Sequence, residues 1–157
     1  VVGLVLVPLA TRDRLSMIYI ENCRSSAALT LSLDVGSRIP AATSAIGRAW
    51  LAAITEPERQ DFMAKVQQQH EEAWPRIKRG IEQAVDDYRT LGVSCSFGEW
   101  RPDVNAIGRA LRIGGGMPPM AINCGGPAFN LSREFLLGEV RPRLIEAVTR
   151  IETMLAR

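Results

Sequence analysis

At 157 residues, with 46% apolar and 23% charged side chains, the chain has the size and make-up of a single globular domain with a real core. A formal net charge of +2, with no local cluster of Lys and Arg, argues against a DNA-reading helix or an acidic-membrane-binding face within it. Three scattered cysteines (Cys23, Cys95, Cys124) without a C-x-x-C pair, and a single histidine, argue against a disulfide framework or a zinc site and place the chain in a reducing, cytoplasmic compartment.

The opening V-V-G-L-V-L-V-P-L-A is apolar over residues 1–10 and lacks a basic leader. A membrane span needs ~20 such residues, so this run reads as a buried strand. It starts without a polar lead-in, as a fragment of a longer protein would. T-R-D-R follows as a turn, residues 15–20 as a second strand and E-N-C-R-S-S as another turn. Leu29, Leu31 and Leu33 alternate with Thr30 and Ser32, which predicts a third strand with one apolar face.

The chain is organised around D-V-G-S-R-I-P-A-A-T-S-A-I-G-R-A-W, residues 34–50. Thr43 or Ser44 can cap a helix that closes near Ile54, with Ile46, Ala49, Trp50, Ala53 and Ile54 at helical spacing. Ala45, Ile46 and Gly47 then form its first turn. Free N–H groups and the positive end of the helix dipole favour an anion there, and Gly47 admits close approach to the backbone. The same residues also suit an ordinary capped core helix.

Thr55 and Glu58 predict a capping box for the next helix, which Pro75 interrupts. Ile77, Ile81, Ala84, Val85, Tyr88 and Leu91 form the apolar stripe of a third helix, ended by Gly92. Strands are predicted at 93–97, 104–113 and 120–124, with G-G-G-M-P-P as the turn between the last two. A final helix is capped by Ser132, and Gly138 and Pro142 should bend or split it. Strands and helices occur in runs and do not alternate, which predicts an α+β domain: an antiparallel sheet of about six strands with helices packed on it.

Two strands carry small residues on one face: Val104, Ala106, Gly108 and Ala110 in one, Ala121, Asn123 and Gly125 in the other. The room above them fits either a closely packed helix or a small-molecule cavity. Asn123 would orient a ligand there through its amide, with Ser96 as a weaker candidate. No serine-hydrolase elbow, metalloprotease helix or nucleotide-binding glycine pattern is present, so no enzyme and no cofactor are expected. The alternative is a thiol enzyme using Cys95 or Cys124, for which the sequence offers no neighbouring base.

From Gly36 onward the chain resembles the effector-binding domain of IclR-type bacterial transcription regulators. The resemblance rests on G-S-R-I-P-A-A-T-S-A-I-G-R-A-W, Y-R-T-L-G-V-S-C-S-F-G-E-W-R-P-D-V-N-A-I and M-A-I-N-C-G-G-P-A-F-N-L-S, in that order. It implies a GAF/PAS-like domain over residues 1–157 that binds a small organic acid, a carboxylate or an aromatic acid. It also implies a homodimer or homotetramer, no membrane partner, and promoter DNA contacted only through an N-terminal winged helix-turn-helix that lies outside this sequence. The family's ligand carboxylate maps to the helix start at Ser44, Ala45 and Ile46. Its apolar wall maps to Leu31, Ile39 and Val104, and its polar contacts to Ser96, Ala106, Asn123 and Gly125. Ser96, Ala106 and Gly125 stand where members with small keto-acid ligands have an acidic residue, a cysteine and a serine. The resemblance therefore implies a roomier, less polar pocket with a larger or aromatic ligand.

Overall fold

The computed structural model describes residues 6–24 and 33–157. Strands β1 (Leu6–Asp13) and β2 (Ser16–Arg24) form a hairpin, followed by the short β3 (Arg38–Pro40). Helices α1 (Ala45–Ala53), α2 (Glu56–Gln69) and α3 (Trp74–Leu91) come next, then β4 (Ser94–Phe97), β5 (Val104–Leu111) and β6 (Met120–Pro127). The chain ends in a short α4 (Arg133–Phe135), one π-helical stretch at Leu136–Val140, and α5 (Arg141–Leu155). All pairings are antiparallel, in the order β3-β2-β1-β6-β5-β4. The α+β architecture is as expected, with six strands among the described residues.

Local chemistry explains the helix ends. Thr55 and Glu58 make a reciprocal capping box, with Glu58 N–H donating to Thr55 Oγ1 and Thr55 N–H to Glu58 Oε2. Gly92 adopts φ +80° and terminates α3, a conformation that favours glycine. Ser132 caps α4, and the π-helical stretch Leu136–Val140 contains Gly138 and ends just before α5, whose first turn holds Pro142; it splits the last helix as the sequence predicts.

The hairpin differs from expectation. The turn comes later than expected: Thr11, Arg12 and Asp13 of T-R-D-R belong to β1, and the turn sits at Arg14–Leu15, with Arg14 at φ +56°. The polar end of β1 is held by the Asp13–Arg38 ion pair, which brings β3 alongside. β2 likewise continues through E-N-C-R to Arg24. Ile20 forms a bulge, because Leu9 pairs with Glu21 while the next residue, Ala10, pairs with Tyr19. Leu29–Ser32 of the strand predicted around Leu31 lie outside the described residues; the third strand described is β3.

Alternation divides the sheet between two cores. One face, with Ala10, Met17, Tyr19, Val104 and Ala121, packs against α1, α2 and α3 through Ile46, Trp50, Leu51, Phe62 and Ile81. The other, with Cys95, Ile107 and Leu111, packs against Leu136, Leu144 and Val148 of the C-terminal helices. Helix α1 lies very close to the sheet. A Cβ at Gly108 would stand 2.6 Å from the Ala45 carbonyl oxygen, and one at Gly47 would stand 2.2 Å from the Ala41 backbone. Part of the room left by small residues is thus taken by a helix.

Candidate functional site

What remains of that room is a cavity at the start of α1. Strand register builds its floor: Ser96 pairs with Ala106, Ala106 with Gly125, and Gly125 with Leu6, one row crossing β4, β5, β6 and β1. All four residues line the cavity, together with Asn123, which pairs with Gly108 on the adjacent row. Ile39, Val104 and the α1 residues Ser44 and Ala45 close it from other directions. Eight of the ten residues named from sequence (Ile39, Ser44, Ala45, Ser96, Val104, Ala106, Asn123 and Gly125) therefore face one space. Ile46 does not line it; its side chain is fully buried in the core, leaving only its backbone N–H toward the helix start. Leu31 lies outside the described residues.

The polar groups divide into those already engaged and those left over. Ser44 Oγ donates to Pro40 O at 2.6 Å and accepts from Gly47 N–H at 3.2 Å. Ser96 Oγ donates to Thr43 O at 2.6 Å. Both hydroxyls therefore hold the turn that launches α1. The first N–H groups of a helix have no acceptor within it, and with Gly47 engaged this leaves Ala45 and Ile46. Asn123 is 6% exposed, and its carboxamide oxygen has no hydrogen-bond partner among the described residues. Such a buried orphan acceptor is uncommon and costs about 1–3 kcal/mol.

Tyr19 and Trp100 complete the lining with Leu6, Leu33 and Gly126, none of them named from sequence as site residues. Tyr19 was within reach, since it shares a strand face with Met17. Trp100 sits in the β4–β5 loop, where no periodicity points inward. Burial pushes the Tyr19 phenol upward, outweighing the opposing effect of Arg101, so it remains a neutral hydrogen-bonding group.

Beneath the site lies a buried cation that sequence reasoning also missed. Arg48 is 3% exposed; its Nε donates to Ala42 O at 3.1 Å, and its Nη1 donates to Cys95 O at 3.0 Å and Glu99 Oε2 at 2.7 Å. It ties the approach to α1, strand β4 and the β4–β5 loop into one unit. Gly80 of α3 clears the space, since a Cβ there would stand 2.2 Å from Arg48 Nη2.

Cys95 and Cys124 are both buried. Burial raises Cys95 to about 12 and Cys124 to about 11, both well above neutral pH. Cys124 pairs with Ile107 on the opposite face from Asn123. Among the described residues no three His, Cys, Asp or Glu side chains cluster to hold a metal, and no helix is long and apolar enough to cross a membrane. The cavity measures about 20 Å3, room for about one water. An organic acid would have to part its walls.

Residues 5–153 match the family model for the bacterial transcriptional regulator IclR C-terminal domain. The chain is 26% identical over 148 residues to the HTH-type transcriptional regulator TsaQ1/TsaQ2 of Comamonas testosteroni, covering 93% of this chain and 53% of that protein. It superposes on an IclR family transcriptional regulator from Brucella abortus with a TM-score of 0.88 at 38% identity, covering 95% of this chain and 56% of the other. The inducer-binding domain of the Acinetobacter transcription factor PobR, solved as a double mutant with 3-hydroxybenzoic acid, shares the fold at 15% identity with a TM-score of 0.71, covering 94% and 87% of the two chains. The chain thus spans about half the length of TsaQ1/TsaQ2 and of the Brucella regulator. It belongs to the IclR family of bacterial transcription regulators and corresponds to their C-terminal, effector-binding domain.

Proposed function

We propose that the cavity at the start of α1 receives a small organic acid, an aromatic acid fitting its lining best, and that this ligand modulates DNA binding by a regulator of which the chain is one domain. The observation that carries the reading is the buried, unpartnered Asn123 carboxamide oxygen in a cavity at the start of α1. The N–H groups of that helix start suit a carboxylate, and the Asn123 amide suits a second polar group on the ligand. Trp100, Val104 and Ile39 supply apolar contact between them. The PobR inducer-binding domain, with its bound 3-hydroxybenzoic acid, is a precedent for this ligand class on the same fold.

In this reading the chain acts by binding without turnover, as a homodimer or homotetramer, and meets promoter DNA through a winged helix-turn-helix elsewhere in the full protein. Ligand entry parts the walls of the small cavity and displaces the start of α1, which Ser96 and Arg48 link to β4. A ligand shifts such an equilibrium only by its differential affinity for the two arrangements.

A thermal-shift panel of keto acids, aromatic acids and their neutral analogues tests the reading. A ligand that binds only the folded state stabilises it by about 2.7 kcal/mol at a hundredfold excess over its Kd. Stabilisation confined to carboxylates and lost in Asn123→Leu is the expected result. Equal responses to acids and neutral analogues, or a response unchanged in Asn123→Leu, would overturn it.

A further inference from the structure

A second and much larger concavity lies at the other end of α1. Trp50, in the last turns of that helix, lines a groove of about 770 Å3 between the β1–β2 turn, α2 and the β5–β6 loop. Leu15, Phe62, Met117 and Pro118 supply apolar walls; Phe62 meets the Trp50 ring edge-on at 5.7 Å, and Met117 is 62% exposed. None of the groove's lining residues belongs to the cavity beside Asn123.

Its charge is unbalanced. Arg12 and Arg14 reach the groove from the β1–β2 hairpin and Arg112 from the end of β5, and none of the three guanidinium groups pairs with a carboxylate among the described residues, although the Arg112 backbone N–H donates to Glu152 Oε2 at 3.2 Å. Arg12 lies 5.2 Å from the centre of the Trp50 ring, and Arg112 donates to the Ala53 carbonyl oxygen at 3.2 Å. The two acidic residues in the groove are occupied: Asp61 with Lys65 at 3.4 Å, and Glu58 with the Thr55 N–H of the capping box at 3.1 Å. Trp50 is 5% exposed, and its indole N–H has no acceptor among the described residues. Buried indole donors ordinarily find a partner.

We infer that this groove is a second binding site, for a small aromatic carboxylate. The apolar walls take the ring, while Arg12 and Arg112 supply cationic donors for the carboxylate.

The test is a titration of the 157-residue chain by 1H–15N correlation spectroscopy, using 1-naphthoate as probe and 1-naphthalenemethanol as its uncharged counterpart. The three tryptophans give three indole signals, assigned with Trp50→Phe, Trp74→Phe and Trp100→Phe. Trp50 reports the groove and Trp100 the effector cavity. Expected is a saturable displacement of the Trp50 signal by naphthoate, with affinity about tenfold lower for the alcohol and about tenfold lower in Arg12→Gln/Arg112→Gln. A Trp50 signal unmoved by millimolar naphthoate, or moved equally by both compounds, would overturn the proposal, as would a response that survives loss of both arginines. Should the double variant not fold, the comparison of acid and alcohol on the unaltered chain decides alone. A moving Trp50 signal beside a silent Trp100 signal supports the groove and counts against the effector cavity.

Discussion

The Ser96 hydroxyl donates to the Thr43 carbonyl oxygen at 2.6 Å and joins edge strand β4 to the turn that launches α1. Ser96→Ala removes this tie and leaves a carbonyl without its donor. The expected loss is about 1–2 kcal/mol, or roughly 2–8 °C in Tm for a domain of this size. Thermal melting of the two chains side by side checks it.

Arg48 and Glu99 should respond unequally although they form one ion pair. Arg48 is buried and serves three acceptors, so Arg48→Met strands Ala42 O and Cys95 O and should cost about 3–5 kcal/mol. The Glu99 side chain is 46% exposed, so Glu99→Gln should cost no more than about 1 kcal/mol. Urea denaturation of both variants measures the difference.

Two glycine substitutions should have unequal effects. Gly47→Ala drives a methyl group to 2.2 Å from the Ala41 backbone and should destabilise by about 3 kcal/mol or fail to fold. Gly138 has nothing within 4 Å of its added Cβ and lies in helical backbone, so Gly138→Ala should be neutral or stabilising by up to about 1 kcal/mol. The denaturant midpoint should fall well below that of the unaltered chain for Gly47→Ala and at or above it for Gly138→Ala.

Asn123→Leu should leave the fold as stable as before or more so, because it removes a buried acceptor that has no partner. A ligand-induced rise in Tm should vanish in the same variant. A clear drop in the midpoint of ligand-free melting would show that the amide is satisfied in solution.

The thiols set an alkaline limit. Burial pushes Cys95 up to about 12 and Cys124 up to about 11 from an ordinary thiol value of 9.0. Above about pH 9 the unfolded chain therefore loses protons that the folded chain retains, and stability should fall as pH rises toward 11–12. Melting temperatures across that range check the sign. At pH 8, an aromatic disulfide reagent should modify exposed Cys23 quickly and the two buried thiols only on unfolding.

What the sequence made legible was local. Thr55 with Glu58, Gly92, Ser132 and the period-two runs around Ala106 and Asn123 declare their structures within a few residues of themselves. What it hid depends on distant partners. Arg12 and Asp13 look like turn residues until β3 arrives to pair Arg38 with Asp13. The buried setting of Arg48 requires Gly80 from another helix and Glu99 from a loop. The cavity residues are recognisable from the family's pattern, but their convergence is a matter of strand register. Trp100 joins them from a loop whose sequence carries no sign of it.

The bulge at Ile20 has a bearing on how chains of this kind can change length. On either side of it, Tyr19 with Ala10 and Glu21 with Leu9 keep their assigned faces because one extra residue lies between the paired positions. Removing Ile20 would place Tyr19 and Glu21 in consecutive register positions, pointing to opposite faces as they do already. Elsewhere in the sheet a single-residue deletion would turn the downstream part of a strand inside out. Here the strand can shorten by one residue without exchanging its inner and outer side chains, and the pairing of Ser16, Met17 and Ile18 with β3 lies upstream of the change. Ile20 therefore marks a position where length can vary among related chains while the wall carrying Tyr19 stays in place.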